Sequence, residues 1–146
     1  MPRIERRAEA VWEGTVARGS GSIAARSSGA FELPYTLASR VGEPEGKTSP
    51  EELVAAAHAG CFAMSLANEL VQAGSAPERV SVEATCVMDE VEGQGHVVVA
   101  SQLSVRVRAD VADDAFDAAV AAADAGCPIS ILLRGTADVG VDASLI

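Results

Sequence analysis

Residues 49–64 read Ser-Pro-Glu-Glu-Leu-Val-Ala-Ala-Ala-His-Ala-Gly-Cys-Phe-Ala-Met and predict the beginning of a long helix. Ser49 is a favourable N-cap, Pro50 suits the first helical position, and Glu52 stands where a capping-box glutamate reaches back. Apolar residues recur at three- and four-residue steps, at Leu53, Ala57, Gly60, Cys61, Met64, Ala67 and Val71. Because the remaining surface holds few polar residues, we expect this helix in the centre of the fold or against a second subunit.

The composition around this helix is that of an ordinary globular protein. With 146 residues, 49% hydrophobic and 22% charged, we expect a single domain over residues 1–146. The formal net charge of −10 argues against nucleic acid or an anionic membrane as the main partner. The charged N-terminus is not followed by an apolar run, and no segment approaches a transmembrane span, so we expect a cytoplasmic protein.

The rest of the chain predicts strands, the long helix, more strands, two helices and a last strand. The predicted elements are a hairpin from residues 8–18 and 22–26, a short strand Tyr35–Arg40, the long helix from Pro50 to about Gln72, strands 80–91 and 96–109, a helix ending at Gly126, a short helix from Pro128 to Leu133, and a strand Thr136–Val141. This order is typical of an α+β fold, with an antiparallel sheet and helices on one face.

Three cysteines carry the candidate chemistry, and each also has a structural explanation. Cys61 lies in the middle of the long helix, where a small buried residue is the ordinary interpretation. Cys127 follows a helix stop at Gly126 and precedes Pro128, where the N–H groups of a new helix favour a thiolate. Cys86 lies in an alternating strand, and we interpret it as a core residue or a bystander.

Histidine adds a second possible partner for the thiol. The sequence holds only His58 and His96, without C-x-x-C or H-x-x-x-H spacing, so a zinc site is not expected. His58 lies one helical turn before Cys61, close enough to pair with the thiol, although a histidine at a helix interface fits equally well. No nucleophile-elbow motif and no glycine-rich phosphate loop are present.

Two cysteine motifs resemble those of the OsmC/Ohr family, the osmotically inducible and organic-hydroperoxide-resistance proteins. The first joins residues 49–53 to residues 57–62, and the second is Ala-Gly-Cys-Pro-Ile-Ser at residues 125–130. The likeness extends to Trp-Glu-Gly at residues 12–14 and to Gly135 with the final strand. His58 and the pair Glu51-Glu52 are closer to the OsmC branch, and Gly60 stands where alanine is usual.

The resemblance implies an OsmC-like α+β fold with a long central helix, assembled as an intertwined homodimer. It implies a thiol peroxidase of the stress response that reduces organic hydroperoxides, and hydrogen peroxide more slowly, without a cofactor or metal. Cys61 would attack the O–O bond and become a sulfenic acid, and Cys127 would condense with it to a disulfide. A dithiol reductant would restore the pair, with lipoyl-bearing proteins as the expected donors.

The resemblance also implies two charged site residues. A buried mid-helix thiol has a raised pKa, so a cation must stand near Cys61. Arg40 matches the family's catalytic arginine, although by itself it reads as a surface residue at a strand end, and Glu51 would orient it through a bidentate salt bridge. Glu51 lies roughly 15 Å from Cys61 along a straight helix. We therefore expect Glu51 to serve the thiol of a second subunit, which predicts an obligate homodimer.

Two other functions stay open from the sequence. A Cys–His hydrolase would use Cys61 with His58, would not need Cys127, and would leave no disulfide after exposure to peroxide. A redox-sensing or ligand-binding dimer would be oxidised stoichiometrically and would turn over poorly with any dithiol. A DNA-binding sensor is disfavoured because no basic recognition helix is present.

Overall fold

The computed structural model describes residues 2–146 and divides the chain into two compact units, Met1–Pro50 and Glu51–Ile146. The first unit holds an antiparallel sheet of β1 (Ala8–Glu13), β2 (Ser20–Ala25) and β3 (Glu32–Tyr35), in that spatial order. The hairpin predicted over residues 8–26 is therefore confirmed. The Trp12 and Tyr35 rings pack 5.2 Å apart, and Gly21 lies against both. A side chain at Gly21 would collide with these rings.

The short strand predicted over Tyr35–Arg40 is wrong, because helix α1 (Leu37–Val41) occupies most of that segment. Its N-terminus is closed by a reciprocal capping box. The Thr36 hydroxyl accepts from the Ser39 N–H at 3.1 Å, and the Ser39 hydroxyl accepts from the Thr36 N–H at 3.0 Å. These bonds satisfy two backbone donors that a strand would have needed to pair elsewhere. Arg40 consequently lies in the last turn of a helix.

The second unit contains most of the remaining structure. Its elements are α2 (Pro50–Gln72), which begins at the last residue of the first unit, β4 (Arg79–Val91), β5 (Gly95–Arg108), α3 (Asp113–Gly126), α4 (Pro128–Arg134) and β6 (Asp138–Leu145). Helix α2 has the predicted bounds, and Gly74 beyond its end takes a left-handed φ of +86°. There the Ser75 N–H bonds to the Leu70 carbonyl at 2.9 Å, which closes the helix end.

The sheet of the second unit has the order β4-β5-β6 and is mixed. Strands β4 and β5 form the expected antiparallel hairpin, but β6 runs parallel to β5. The α+β class is confirmed, whereas a purely antiparallel sheet is wrong for this strand. The reason lies in the connection: α3 and α4 carry the chain back across the sheet, and such a crossover returns a strand in the parallel direction. The last strand also begins later than the predicted Thr136 and ends at Leu145.

The core of the second unit packs helices α2 and α3 against one face of β5. It is formed by ten buried residues: Phe62, Leu66, Leu70, Leu103, Val105, Val107, Phe116, Ala119, Ala123 and Cys127. Full burial of a large apolar side chain stabilises the fold by about 1.5–3 kcal/mol. The core thus holds the middle of α2, and Cys127 after the end of α3, in fixed positions.

The buried stripe of α2 differs from the predicted one. His58, Phe62, Leu66 and Leu70 are buried at four-residue steps, whereas Met64 is 77% exposed and Val71 is 56% exposed. Alanine, glycine and cysteine cover most of this helix, so the periodicity of apolar residues did not identify the buried face. The face that carries the larger side chains is the one that is buried. Only 22% of the most apolar 18-residue window of α2 is buried within the chain. The expectation that no segment approaches a transmembrane span is wrong for α2, which by length and composition could cross a membrane, a test that core helices of soluble proteins also pass.

Candidate active site

Two thiols meet where α2, α3 and α4 converge. The Sγ atoms of Cys61 and Cys127 lie 3.1 Å apart, and both cysteines are free. Cys61 is carried on α2 next to the core residue Phe62 and is half-buried, whereas Cys127 is fully buried. Because a disulfide needs about 2.05 Å between sulfurs, a small side-chain movement would join them. The structure therefore brings together the two cysteines that the sequence singled out.

Cys127 is placed by the junction between α3 and α4. Helix α3 ends at Gly126, Cys127 takes an extended backbone conformation, and Pro128 opens α4. Cys127 is thus the N-cap of α4, and its sulfur accepts from the Ser130 N–H at 3.5 Å. The sequence prediction that Cys127 lies at the start of a helix, near its N–H groups, is confirmed.

The surroundings shift the pKa values of the two thiols in opposite directions. Burial raises the pKa of Cys127, but hydrogen bonds from the Ser130 N–H, from Cys61, from the Ser130 hydroxyl and from the Ile129 N–H together hold it below its ordinary value. Burial raises the pKa of Cys61, and its hydrogen bond with Cys127 raises it further, against smaller opposite effects of the Ile129 N–H and the Ser65 hydroxyl. Within residues 2–146, no cation is among the groups that contribute most to the Cys61 shift. These surroundings therefore favour a thiolate at Cys127 over one at Cys61.

His58 is fully buried and does not pair with Cys61. Its Nδ1 lies 2.7 Å from the Ser101 hydroxyl, and its Nε2 lies 2.8 Å from the Ser130 hydroxyl. Burial lowers the pKa of His58, while Asp124 raises it and Arg134 lowers it to smaller extents. Of the two interpretations that the sequence left open, the structure supports a buried interface histidine. It gives no support to a Cys–His pair.

The two serines that hold His58 were missed by the sequence reasoning. Ser101 is buried on β5, and Ser130 lies in the first turn of α4, three residues after Cys127. Serine is too common for either position to stand out alone. The one available signal was the short spacing of Ser130 from an N-cap cysteine, because an N-cap side chain bonds to the N–H two or three residues later.

Arg40 belongs to the first compact unit of the chain and Glu51 to the second. Arg40 is exposed on α1 and lines a cavity of about 160 Å³, together with Trp12, Val16, Tyr35, Thr36 and Leu37. Glu51 lies in the first turn of α2, ten residues before Cys61 on an uninterrupted helix. The pKa of Cys86 is raised by burial and by the charge of Glu51. The pairing of Arg40 and Glu51 with Cys61 stays a prediction.

Cys86 lies on the half-buried face of β4 with Ala84 and Met88, as expected. It belongs to neither the sulfur pair nor the histidine cluster. Among residues 2–146, no group of three or more His, Cys, Asp or Glu side chains is arranged to hold a metal ion.

Comparisons with known proteins identify the family and the fold of the chain. The family model described as "OsmC-like protein" matches residues 42–142. The chain is 35% identical over 143 residues to Peroxiredoxin OsmC of Escherichia coli strain K12, covering 97% of each protein. The crystal structure of an organic hydroperoxide resistance protein OsmC from Legionella pneumophila matches with a TM-score of 0.73 at 24% identity, covering 97% of this chain and 99% of that one. OhrB of Bacillus subtilis matches with a TM-score of 0.71 at 22% identity, covering 94% and 98%. The chain therefore belongs to the family of OsmC-like proteins and has its fold.

Proposed function

We propose that this protein is a thiol peroxidase that reduces organic hydroperoxides, and hydrogen peroxide more slowly, through Cys61 and Cys127. The observation that carries the proposal is the 3.1 Å separation between the sulfur of the half-buried Cys61 and that of the buried Cys127. The names of its relatives, a peroxiredoxin and organic hydroperoxide resistance proteins, support the same reaction class.

The reaction balances with these two thiols and an external dithiol. The Cys61 thiolate attacks the terminal oxygen of the hydroperoxide, the O–O bond breaks, and the alkoxide leaves and takes a proton to become the alcohol. Cys61 is now a sulfenic acid. The Cys127 thiolate attacks the Cys61 sulfur, an S–S bond forms, and hydroxide leaves as water. A dithiol then reduces the disulfide by exchange and is itself oxidised to a disulfide.

The burial of the two sulfurs supports this division of labour. A hydroperoxide arriving from solvent meets the half-buried Cys61 before the fully buried Cys127. The lowered pKa of Cys127 suits the second step, since a thiolate must attack the sulfenic acid. The raised pKa of Cys61 means that its activation needs a cation. We assign that role to Arg40, with Glu51 holding the guanidinium in orientation.

The position of Glu51 supports our proposal of a homodimer. Ten helical residues separate it from Cys61 by roughly 15 Å, so within one protomer it does not reach that thiol. The exposed apolar surface of α2, including Met64 and Val71, would be covered by a second copy packed antiparallel. In this arrangement Glu51 of one protomer serves Cys61 of the other, and residues 1–146 act as one functional domain. We place this dimer in the cytoplasm.

Of the two rival functions, the Cys–His hydrolase loses support from the structure, and the redox-sensing or ligand-binding dimer is tested by the same experiment as the peroxidase. A Cys–His hydrolase lacks its base, because both ring nitrogens of His58 are bonded to serine hydroxyls. A redox-sensing or ligand-binding dimer would form the same disulfide. It would differ only in turning over poorly with a dithiol.

The test is steady-state turnover of cumene hydroperoxide and tert-butyl hydroperoxide, against hydrogen peroxide, with dihydrolipoamide as the donor. We expect fast turnover of the organic substrates, its abolition in Cys61→Ser, and accumulation of a sulfenic acid without a disulfide in Cys127→Ser. Cys86→Ser is the matched control and should retain activity, because Cys86 lies outside the sulfur pair. Absence of turnover in a protein with an intact, titratable Cys61 would rule out the peroxidase and leave the sensor.

A further inference from the structure

A buried histidine links three elements around the sulfur pair. The ring nitrogens of His58 on α2 lie 2.7 Å from the Ser101 hydroxyl on β5 and 2.8 Å from the Ser130 hydroxyl on α4. All three side chains are fully buried, so water does not compete for either contact. A hydroxyl can donate or accept, so both hydrogen bonds form in either tautomer of the ring. His58 therefore joins α2 to β5 and to α4 whichever nitrogen carries the proton.

The contact with Ser130 lies at the end of α4 that carries Cys127. Cys127 is the N-cap of this helix, and its sulfur accepts from the Ser130 N–H at 3.5 Å. Ser130 thus contacts the Cys127 sulfur through its backbone and His58 through its side chain. Helix α4 has seven residues, too few to be stable without tertiary contacts. The ion pair of Arg134 with Asp124 ties the other end of α4 to α3, so it does not fix the first turn.

The histidine end of this contact is fixed relative to Cys61. His58 precedes Cys61 by three residues, one turn of the same helix and roughly 4.5 Å along its axis. The two sulfurs are therefore connected through one turn of α2, the His58 ring and Ser130, all within the unit Glu51–Ile146. If the bond between His58 and Ser130 were lost, the first turn of α4 could move relative to α2. The 3.1 Å separation of the sulfurs would then be only one of several distances.

We propose that His58 is a positioning residue that, through Ser130, holds the Cys127 sulfur beside the Cys61 sulfur and so favours the disulfide between them. Joining two sulfurs that are already held together costs less conformational entropy than joining a fixed sulfur to a mobile one. Ser101 holds the ring from its other side. The use of this disulfide in turnover rests on the proposed function. The tendency of the two thiols to form it does not.

The test is the equilibrium between the dithiol and disulfide forms in glutathione buffers at fixed pH, in a Cys86→Ser background. The S–S bond of oxidised glutathione breaks, an S–S bond forms between Cys61 and Cys127, and their two protons end on two molecules of reduced glutathione. Acid-quenched samples are counted by mass spectrometry. Ser130→Ala should lower the equilibrium constant for the disulfide about threefold to tenfold, the effect of one lost hydrogen bond.

Two substitutions of His58 separate its two contacts. The amide of glutamine reaches the position of Nε2, which faces Ser130, whereas the amide of asparagine reaches only that of Nδ1, which faces Ser101. His58→Gln should therefore keep most of the equilibrium constant, and His58→Asn should lower it as Ser130→Ala does. This pair also decides the question if Ser130→Ala does not fold.

Leu70→Ala is the control for a merely structural effect. Leu70 is fully buried near the C-terminal end of α2. Its truncation should lower the free energy of unfolding but leave the equilibrium constant unchanged, because the dithiol and the disulfide lose the same packing. An unchanged constant in folded Ser130→Ala, an equal loss in His58→Gln and His58→Asn, or the same loss in Leu70→Ala would overturn the positioning role.

Failure of this inference and failure of the proposed function give different results, because no hydroperoxide enters the glutathione equilibrium. If the variants shift the constant but the wild type does not turn over hydroperoxides, the positioning role stands and the proposed function fails. If the wild type turns over but all variants have the same constant, the proposed function stands and the positioning role fails.

Discussion

Glu51 and Cys61 lie on the same helix yet are expected to act in different active sites. The test is to co-express an impaired variant, Glu51→Gln, and an inactive one, Cys61→Ser, with different affinity tags and to purify the heterodimer. Cys61→Ser has no attacking sulfur. Glu51→Gln should be at least about tenfold less active than wild type, because the charged, bidentate pair with Arg40 is lost.

The geometry of α2 sets the size of the effect. If roughly 15 Å of helix prevents Glu51 from reaching Cys61 of its own protomer, each complete site needs one residue from each chain. The heterodimer then has one site with both residues intact and one with neither. Its activity should be about half that of the wild-type dimer, well above that of either parent.

The assay is turnover of cumene hydroperoxide by the purified heterodimer at equal dimer concentration. Pairing Cys61→Ser with Glu52→Gln is the matched control, since Glu52 is adjacent to Glu51 but has no assigned role in the reaction. This control should also reach about half of wild type, by the same symmetry. If both residues of a site came from one protomer, the Glu51→Gln heterodimer would have only half the activity of the Glu51→Gln homodimer. That result would refute the shared site.

The remaining predictions concern stability and can be checked by chemical or thermal unfolding. Phe62→Ala should lower the free energy of unfolding by about 3–5 kcal/mol, because it empties the centre of the core, whereas Phe31→Ala at an exposed site should change it by about 0.5 kcal/mol or less. Gly21→Ala should be destabilising by about 1–3 kcal/mol, because its Cβ would collide with neighbouring rings. Gly60→Ala should be stabilising by about 0.5–1 kcal/mol, since the helix position has open space. For His58, whose pKa is lowered from 6.5 in the folded state, the unfolded chain binds more protons, so the free energy of unfolding should fall as the pH drops below 6.5. The loss should be smaller in His58→Gln, and an equally steep fall there would contradict burial of a neutral ring.

Local signals in the sequence were sufficient for most of the elements. Pro50 and Gly74 mark the two ends of α2, because proline suits the first helical turn and glycine adopts the left-handed φ beyond the last one. The prediction of a strand over Tyr35–Arg40 was wrong because a serine, and not a glutamate, completes the capping box with Thr36, so the helix start was not recognised. The predicted antiparallel direction of β6 was wrong because the direction of this strand depends on the crossover through α3 and α4.

The candidate site was predictable only in part. Both cysteines were singled out, but their proximity came from the family resemblance and not from spacing, since 66 residues separate them. The buried face of α2 was misassigned because small apolar residues surround the helix. Ser101 and Ser130 meet His58 across 43 and 72 residues of chain, which no local pattern encodes.

The most direct test of the two-cysteine mechanism is intact and peptide mass spectrometry after one equivalent of cumene hydroperoxide is added to the reduced protein. We predict the loss of two hydrogens, a disulfide that joins Cys61 to Cys127, and a free Cys86, with full reversal by dihydrolipoamide. A disulfide that includes Cys86, oxidation of Cys61 to a sulfinic acid with Cys127 still free, or no reaction of Cys61 at all would contradict the mechanism.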